Sequence, residues 1–247
     1  MTAVVDRRIV QDDVRQWRGL VVVGAWAALA SVVLIVVQIV VYLLWPPPET
    51  TVGFFELLAD APLLGVLSLD ALYIVSNLLA YLIYLALAVP LWRVSRSAVV
   101  VALAFGTLGM AAYMSSPRPV EMLTLAQAYA TADPAEQTAL LATGDGMVAT
   151  WTGTAFDVYY FFNLVTLLVL ALLMYRSTVF TRATAVWGLV AAALMAVPSN
   201  FGVVGLAFAL ASLVPWAVFA VLVARRLTRL AGERQRPSRR AAALRGR

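Results

Sequence analysis

Uncharged, apolar residues occupy the chain in six long blocks, and short polar stretches separate them. A bilayer core about 30 Å thick takes roughly 20 residues of helix to cross. The blocks come close to that length and predict membrane spans at residues 19–45, 63–92, 97–114, 146–175, 183–198 and 203–224. The predicted fold class is therefore all-α, a polytopic membrane protein built as a six-transmembrane-helix bundle.

The two longest polar stretches carry signals for helices outside the hydrocarbon. The segment TVGFFELLADAP predicts a short amphipathic helix, and residues 115–145 predict a helical cap. Within that cap, Asp133 before Pro134 is a predicted N-cap and Gly144 a predicted stop. Asp60 and Asp145 are predicted N-caps of the segments that follow them.

Arginine placement predicts the orientation. All but one of the 18 arginines lie before the first span, in the 2–3 and 4–5 connections, or after the sixth span, and the exception is Arg118. By the positive-inside rule, both termini are cytoplasmic and the cap is extracytoplasmic. We expect a cytoplasmic segment at 1–18, a membrane domain at 19–224 and an Arg-rich tail at 225–247, in a plasma (inner) membrane. The tail predicts contact with anionic lipids rather than with nucleic acid.

Composition removes several kinds of chemistry. The chain is 63% apolar and 13% charged, and it contains no cysteine, histidine or lysine. Thiol nucleophiles, histidine bases, haem-binding histidines and Schiff-base lysines are therefore excluded. We expect no cofactor, while metal binding stays open. Arginine without lysine, beside abundant alanine and valine, is typical of a GC-rich bacterial genome.

Two aspartates lie inside predicted spans, Asp70 in the second and Asp157 in the fourth. A carboxylate at the centre of a span costs about 2.5–3.5 kcal/mol, and the distribution of arginines leaves only Arg118 within reach as a cationic partner. Each aspartate must therefore be protonated, hydrogen-bonded or bound to a cation. We expect both to face one cavity that opens outward, with at least one of them protonated at neutral pH. The alternative is that both only hydrogen-bond between helices.

Polar side chains near the two aspartates suggest an internal repeat and a pocket. Asp-x-x-Tyr followed by Asn-Leu occurs in both spans, and each unit then runs through a pair of arginines into the next span. Chance similarity between apolar helices competes with this reading. The predicted pocket residues are Asp70, Tyr73, Asn77, Tyr81, Asp157, Tyr160, Asn163 and Gln38, of which Gln38 is better explained as a contact between helices.

Three stretches resemble a known family. LLGVLSLDALYIVSNLLAYLIYLAL, MLTLAQAYATADPAEQTALLATGDGMVATWTGTAFDVYY and SLVPWAVFAVLVARRLTRL are similar to a largely actinobacterial membrane family catalogued as domain of unknown function 4386. The resemblance extends over about residues 17–230. It implies a six-span membrane protein and implies no activity or catalytic residue.

The function that these features favour is non-enzymatic binding of a small molecule, lipid or cation in an outward-facing intramembrane pocket. One alternative is an intramembrane enzyme in which Asp70 or Asp157 donates a proton to a lipid or isoprenoid. Another is a structural subunit that stabilises a membrane partner. A transporter is less favoured because the sequence indicates no broken helix. The sequence leaves open whether the chain forms a homo-oligomer or binds an unidentified membrane partner.

Overall fold

The computed structural model describes residues 7–233, and every regular element within that range is helical. Residues 1–6 of the predicted N-terminal segment and 234–247 of the predicted tail lie outside the described residues. The helices are α1 (Arg7–Gln16), α2 (Arg18–Leu44), α3 (Thr51–Asp60), α4 (Pro62–Val66), α5 (Leu72–Leu91), α6 (Arg96–Met114), α7 (Pro119–Tyr129), α8 (Pro134–Trp151), α9 (Thr154–Arg176), α10 (Arg182–Leu194) and α11 (Gly202–Gly232).

Six apolar helices pack side by side into a closed ring. Its order is α2, α5, α6, α9, α10 and α11, and α11 packs against α2 again. Helices α5 and α9 also touch across the middle of the ring. Within the described residues, five helical segments are long and apolar enough to cross a membrane, and α10 is a shorter apolar helix of 13 residues. The all-α, multi-pass class is confirmed, and the count of six spans stays a prediction.

Helix α1 closes one end of the ring, which we call the α1 end. Its apolar face buries Val10 and Val14 in the core of the bundle. On its polar face, Asp13 accepts two hydrogen bonds from Arg93, at 2.6 and 2.9 Å, at the connection between α5 and α6. The hydrogen bonds and positive charge of Arg93 lower the pKa of the Asp13 carboxyl. The aspartate is thus held ionised, which keeps α1 attached to the bundle.

Four helices, α3, α4, α7 and α8, cover the opposite end of the ring and form what we call the cap. Phe55, Leu58 and Met122 are buried together at its centre. Helix α8 begins as predicted, because the Asp133 carboxyl accepts hydrogen bonds from the backbone N–H groups of Ala135 and Glu136. The cap therefore has a hydrophobic core of its own beside the core of the ring.

Helix α8 ends later than its sequence predicts. It continues through Gly144 to Trp151, so the prediction that Gly144 stops the helix is wrong. A β-carbon at Gly144 would lie 2.6 Å from Thr51 Cγ2, which shows that the missing side chain lets α3 and α8 pack closely. Asp145 does not cap the fourth span; it lies within α8 and accepts a hydrogen bond from the Thr51 hydroxyl.

Two helix starts also differ from prediction. The helix expected from residue 146 begins at Thr154, because the chain turns at Gly153 after α8 ends. The short helix α4 has Ala61 at its N-cap position, so the prediction that Asp60 fills this role is wrong. In both places the sequence contains a plausible local cap, but the packing of the cap helices decides where the chain turns.

The second predicted span is broken. Between α4 and α5, residues Leu67–Ala71 form a wide π-type turn, and Asp70 adopts φ 66° and ψ 16°. This is the left-handed region, which aspartate tolerates better than most residues but which still costs about 1–2 kcal/mol. The expectation of no broken helix is therefore wrong, and the interruption falls on the aspartate that the sequence singled out.

Two glycines of α8 provide a test of its packing against α3. We expect Gly144→Ala to lower the free energy of unfolding by about 1–3 kcal/mol, because the added methyl group overlaps Thr51 and Phe55. Gly146→Ala is the matched control: its β-carbon meets no atom within 4 Å, and replacing a helical glycine adds up to about 1 kcal/mol. Thermal unfolding in maltoside micelles measures both. A Gly144 variant as stable as the Gly146 variant would contradict this packing.

Candidate functional site

A cavity of about 430 Å³ lies inside the ring, among α2, α5, α9, α10 and α11. Residues of the broken turn before α5 and of the end of α8 line its cap side. Six of the residues that the sequence proposed for a pocket line its wall: Gln38, Asp70, Tyr73, Asn77, Tyr160 and Asn163. The ring thus gathers side chains from three predicted spans around one space.

Asp70 lies at the cap end of this cavity and is nearly buried. Its carboxylate accepts a hydrogen bond of 2.5 Å from the indole N–H of Trp151, the last residue of α8. The hydroxyl groups of Tyr42 and Tyr113 also face this carboxylate, although the Tyr113 hydroxyl lies outside strict hydrogen-bond geometry. Donor groups from three helices therefore surround Asp70, and no ion pair is formed with it within the described residues.

A chain of hydrogen bonds joins α5 to α9 deeper in the bundle. The Tyr84 hydroxyl donates to Asn163 Oδ1 at 2.6 Å, and Asn163 Nδ2 donates to the Tyr159 hydroxyl at 3.4 Å. Tyr159 in turn donates to Asn77 Oδ1. The two asparagines of the suggested repeat thus meet on Tyr159, one residue before the predicted Tyr160.

Two polar amides at the cavity wall have hydrogen-bonding groups without a partner. Asn77 Nδ2 is buried and makes no hydrogen bond. The side chain of Gln38, on α2, lines the cavity and takes part in no hydrogen bond among residues 7–233. The interpretation of Gln38 as a hydrogen-bonded contact between helices is therefore wrong. These amides leave hydrogen-bonding capacity at the cavity that the protein itself does not use.

Two predicted residues do not reach the wall. Asp157 lies in the first turn of α9, because that helix starts at Thr154, and it is about 5 Å from the end of the helix rather than deep within it. Its carboxylate accepts a hydrogen bond of 2.9 Å from Asn200 Nδ2, which also donates to the carbonyl oxygen of Thr152. Tyr81 instead bonds Thr107 of α6 at 2.5 Å. Asp157 thus anchors the connection between α10 and α11 to α9.

Four aromatic wall residues were not identified from the sequence, namely Tyr42, Trp151, Phe156 and Trp216. Tyr42 had a usable signal, because it lies four residues after Gln38 and therefore on the same face of its helix. Trp151 had none, since its position depends on how far α8 extends.

As for metal binding, no cluster of three or more acidic side chains that could hold an ion occurs in the described part of the chain.

The closed ring of apolar helices around a largely apolar cavity with a few polar groups defines the class: an all-helical, multi-pass membrane protein. Comparison with known proteins does not narrow this class further, since no family model, curated protein or solved structure matches the chain.

Removing the hydroxyl of Tyr159 tests the hydrogen-bond chain. We expect Tyr159→Phe to cost about 1–3 kcal/mol, because it leaves the buried Asn77 carbonyl oxygen without its donor. Tyr160→Phe is the control: its hydroxyl donates only to the partly exposed Ser199, at 3.2 Å, so a smaller loss is expected. Denaturation in mild detergent compares the two. Equal losses would show that Tyr159 does not connect the helices energetically.

Proposed function

We propose that this membrane protein binds a small amphiphilic molecule in the cavity between α2, α5, α9, α10 and α11. Its volume of about 430 Å³ falls within the range of about 300–1,000 Å³ that is usual for ligand sites. Most of the wall is apolar or aromatic, with a few polar groups that converge from different helices. This composition is typical of sites that recognise a ligand with one polar end.

The unpaired amides of Gln38 and Asn77 carry the proposal. A buried polar group without a partner costs about 1–3 kcal/mol, which applies to Asn77 Nδ2. The Gln38 amide lines the cavity without a protein partner. A ligand with a hydrogen-bonding end would satisfy these groups. Gln38 favours this function over a purely structural role, in which its amide would bond to a neighbouring helix.

We further propose a topology of six spans in the plasma membrane, with α10 as a short sixth crossing and both termini in the cytoplasm. The arginine distribution supports this, because the basic connections cluster at the α1 end and the acidic cap helices lie at the other end. In this arrangement the Arg-rich tail of residues 225–247 contacts anionic lipids. Membership in the family of domain of unknown function 4386 stays a prediction.

Cysteine labelling tests the topology, because the chain has no native cysteine. Thr138 in the cap and Ser97 at the start of α6 are both exposed. In intact cells, a membrane-impermeant maleimide should label Thr138→Cys at once and Ser97→Cys only after permeabilisation. The reverse pattern would contradict the proposed orientation.

Retention of a ligand tests the binding function. Protein purified in maltoside from its native membrane should release a small molecule that mass spectrometry detects at near-stoichiometric amounts. Gln38→Leu should reduce the amount several-fold, and it breaks no protein hydrogen bond, so the fold is not weakened in that way. Tyr81→Phe, which alters a tyrosine outside the cavity wall, is the control. An empty wild-type protein, or equal retention by all three, would contradict the proposal.

A further inference from the structure

The described residues of the cavity wall include an acidic side chain and no basic one. Asp70 is the only charged side chain among the residues that line the cavity in the described part of the chain. Its carboxylate accepts a hydrogen bond from the Trp151 indole at 2.5 Å, and a cation bound beside it would favour its ionised form. A phosphate or carboxylate head group would therefore meet repulsion and find no basic partner.

Aromatic rings form much of the rest of the wall. Seven aromatic side chains line the cavity, among them Trp151, Tyr159 and Trp216. The faces of such rings attract cations, with indole the strongest, by about 2 kcal/mol or more where water is excluded. A carboxylate beside several aromatic rings is the chemistry that recognises an amine or a quaternary ammonium group.

The cavity has an open side along α2 and α11. Leu206 and Leu210 of α11 line the cavity and yet are 53% and 56% exposed. Ile39 and Tyr42 of α2 also line it and are exposed. Towards the α1 end the same two helices pack tightly in the bundle core, through residues such as Ala28. The exposed lining residues therefore place an apolar mouth between the cap-side halves of α2 and α11.

We propose that the ligand is a membrane-soluble organic cation, an apolar molecule that carries an amine or quaternary ammonium group and enters from the bilayer between α2 and α11. This rests on the proposed binding function and specifies its ligand class. The cationic group lies against Asp70 and the aromatic wall, and the apolar part extends through the mouth beside Leu206 and Leu210. Gln38 and Asn77 bind any oxygen acceptor that the ligand also carries.

Two probes of the same shape and opposite charge test this proposal. Equilibrium dialysis of protein in maltoside micelles, which contain no charged lipid, compares tetraphenylphosphonium with tetraphenylborate. We expect saturable binding of the cation and at least about tenfold weaker binding of the anion. Asp70→Asn should weaken cation binding about tenfold or more. Asparagine adopts the left-handed backbone of this position as readily as aspartate does.

Matched controls separate charge, access and folding. Glu136→Gln removes an exposed carboxylate in the first turn of α8, outside the cavity wall, and should leave affinity for the cation unchanged. Leu210→Trp should obstruct the mouth and slow or prevent binding, whereas Val203→Trp, on the same helix but outside the cavity, should not. Should Asp70→Asn fail to fold, the comparison of Leu210 with Val203 and the charge preference of the wild type still decide the question.

The outcomes also distinguish this inference from the binding function beneath it. If Leu210→Trp weakens both probes equally and Asp70→Asn weakens neither, the cavity binds apolar molecules without regard to charge, and only the inference fails. If phosphatidylcholine added to the micelles displaces the cation, a choline head group of the bilayer is the source of the ligand. If it does not, the ligand is a free lipophilic cation.

Discussion

A carboxyl group among apolar helices must find its hydrogen-bond partners inside the protein, because hydrocarbon supplies none. Asp70 meets this constraint by interrupting its own helix. The left-handed backbone costs about 1–2 kcal/mol, whereas a buried charge without partners costs several kcal/mol or more. The break is therefore the smaller penalty, and it brings the carboxylate to Trp151. The start of α5, and with it one end of the cavity, is set by this single contact.

The same contact connects the cap to the ring. The Trp151 indole bonds Asp70 on one side and packs edge-on against Phe54 of α3 on the other, with ring centroids 5.9 Å apart. Leu69, next to Asp70, is buried in the hydrophobic cluster of the cap. A shift of α8 would thus move a residue of the cavity wall directly. The cap, the break and the cavity are thus in direct contact, although their residues lie far apart in the chain.

The suggested repeat has different outcomes for its two kinds of polar residue. The asparagines meet, because Asn77 and Asn163 project from α5 and α9 towards each other and both bond to Tyr159. The aspartates do not occupy equivalent places: Asp70 lies in a break before its helix, and Asp157 lies in the first turn of its helix. The two similar sequence patterns therefore take equivalent positions only at the asparagines, where α5 and α9 are in contact.

Local chemical signals were enough to predict part of this structure from the sequence alone. Uncharged blocks determined the apolar helices, since only a helix satisfies its own backbone in lipid, and Asp133 with Pro134 determined the start of α8. The sequence also singled out Asp70, Asn77, Asn163 and Gln38 as polar residues in apolar surroundings. Tertiary structure alone decided that α8 passes through Gly144, that α5 begins after a break, and that Trp151 reaches Asp70. Each of these depends on contacts between residues far apart in the chain, and such contacts override the local signals at helix ends because they bury more surface than one cap or one glycine can offset.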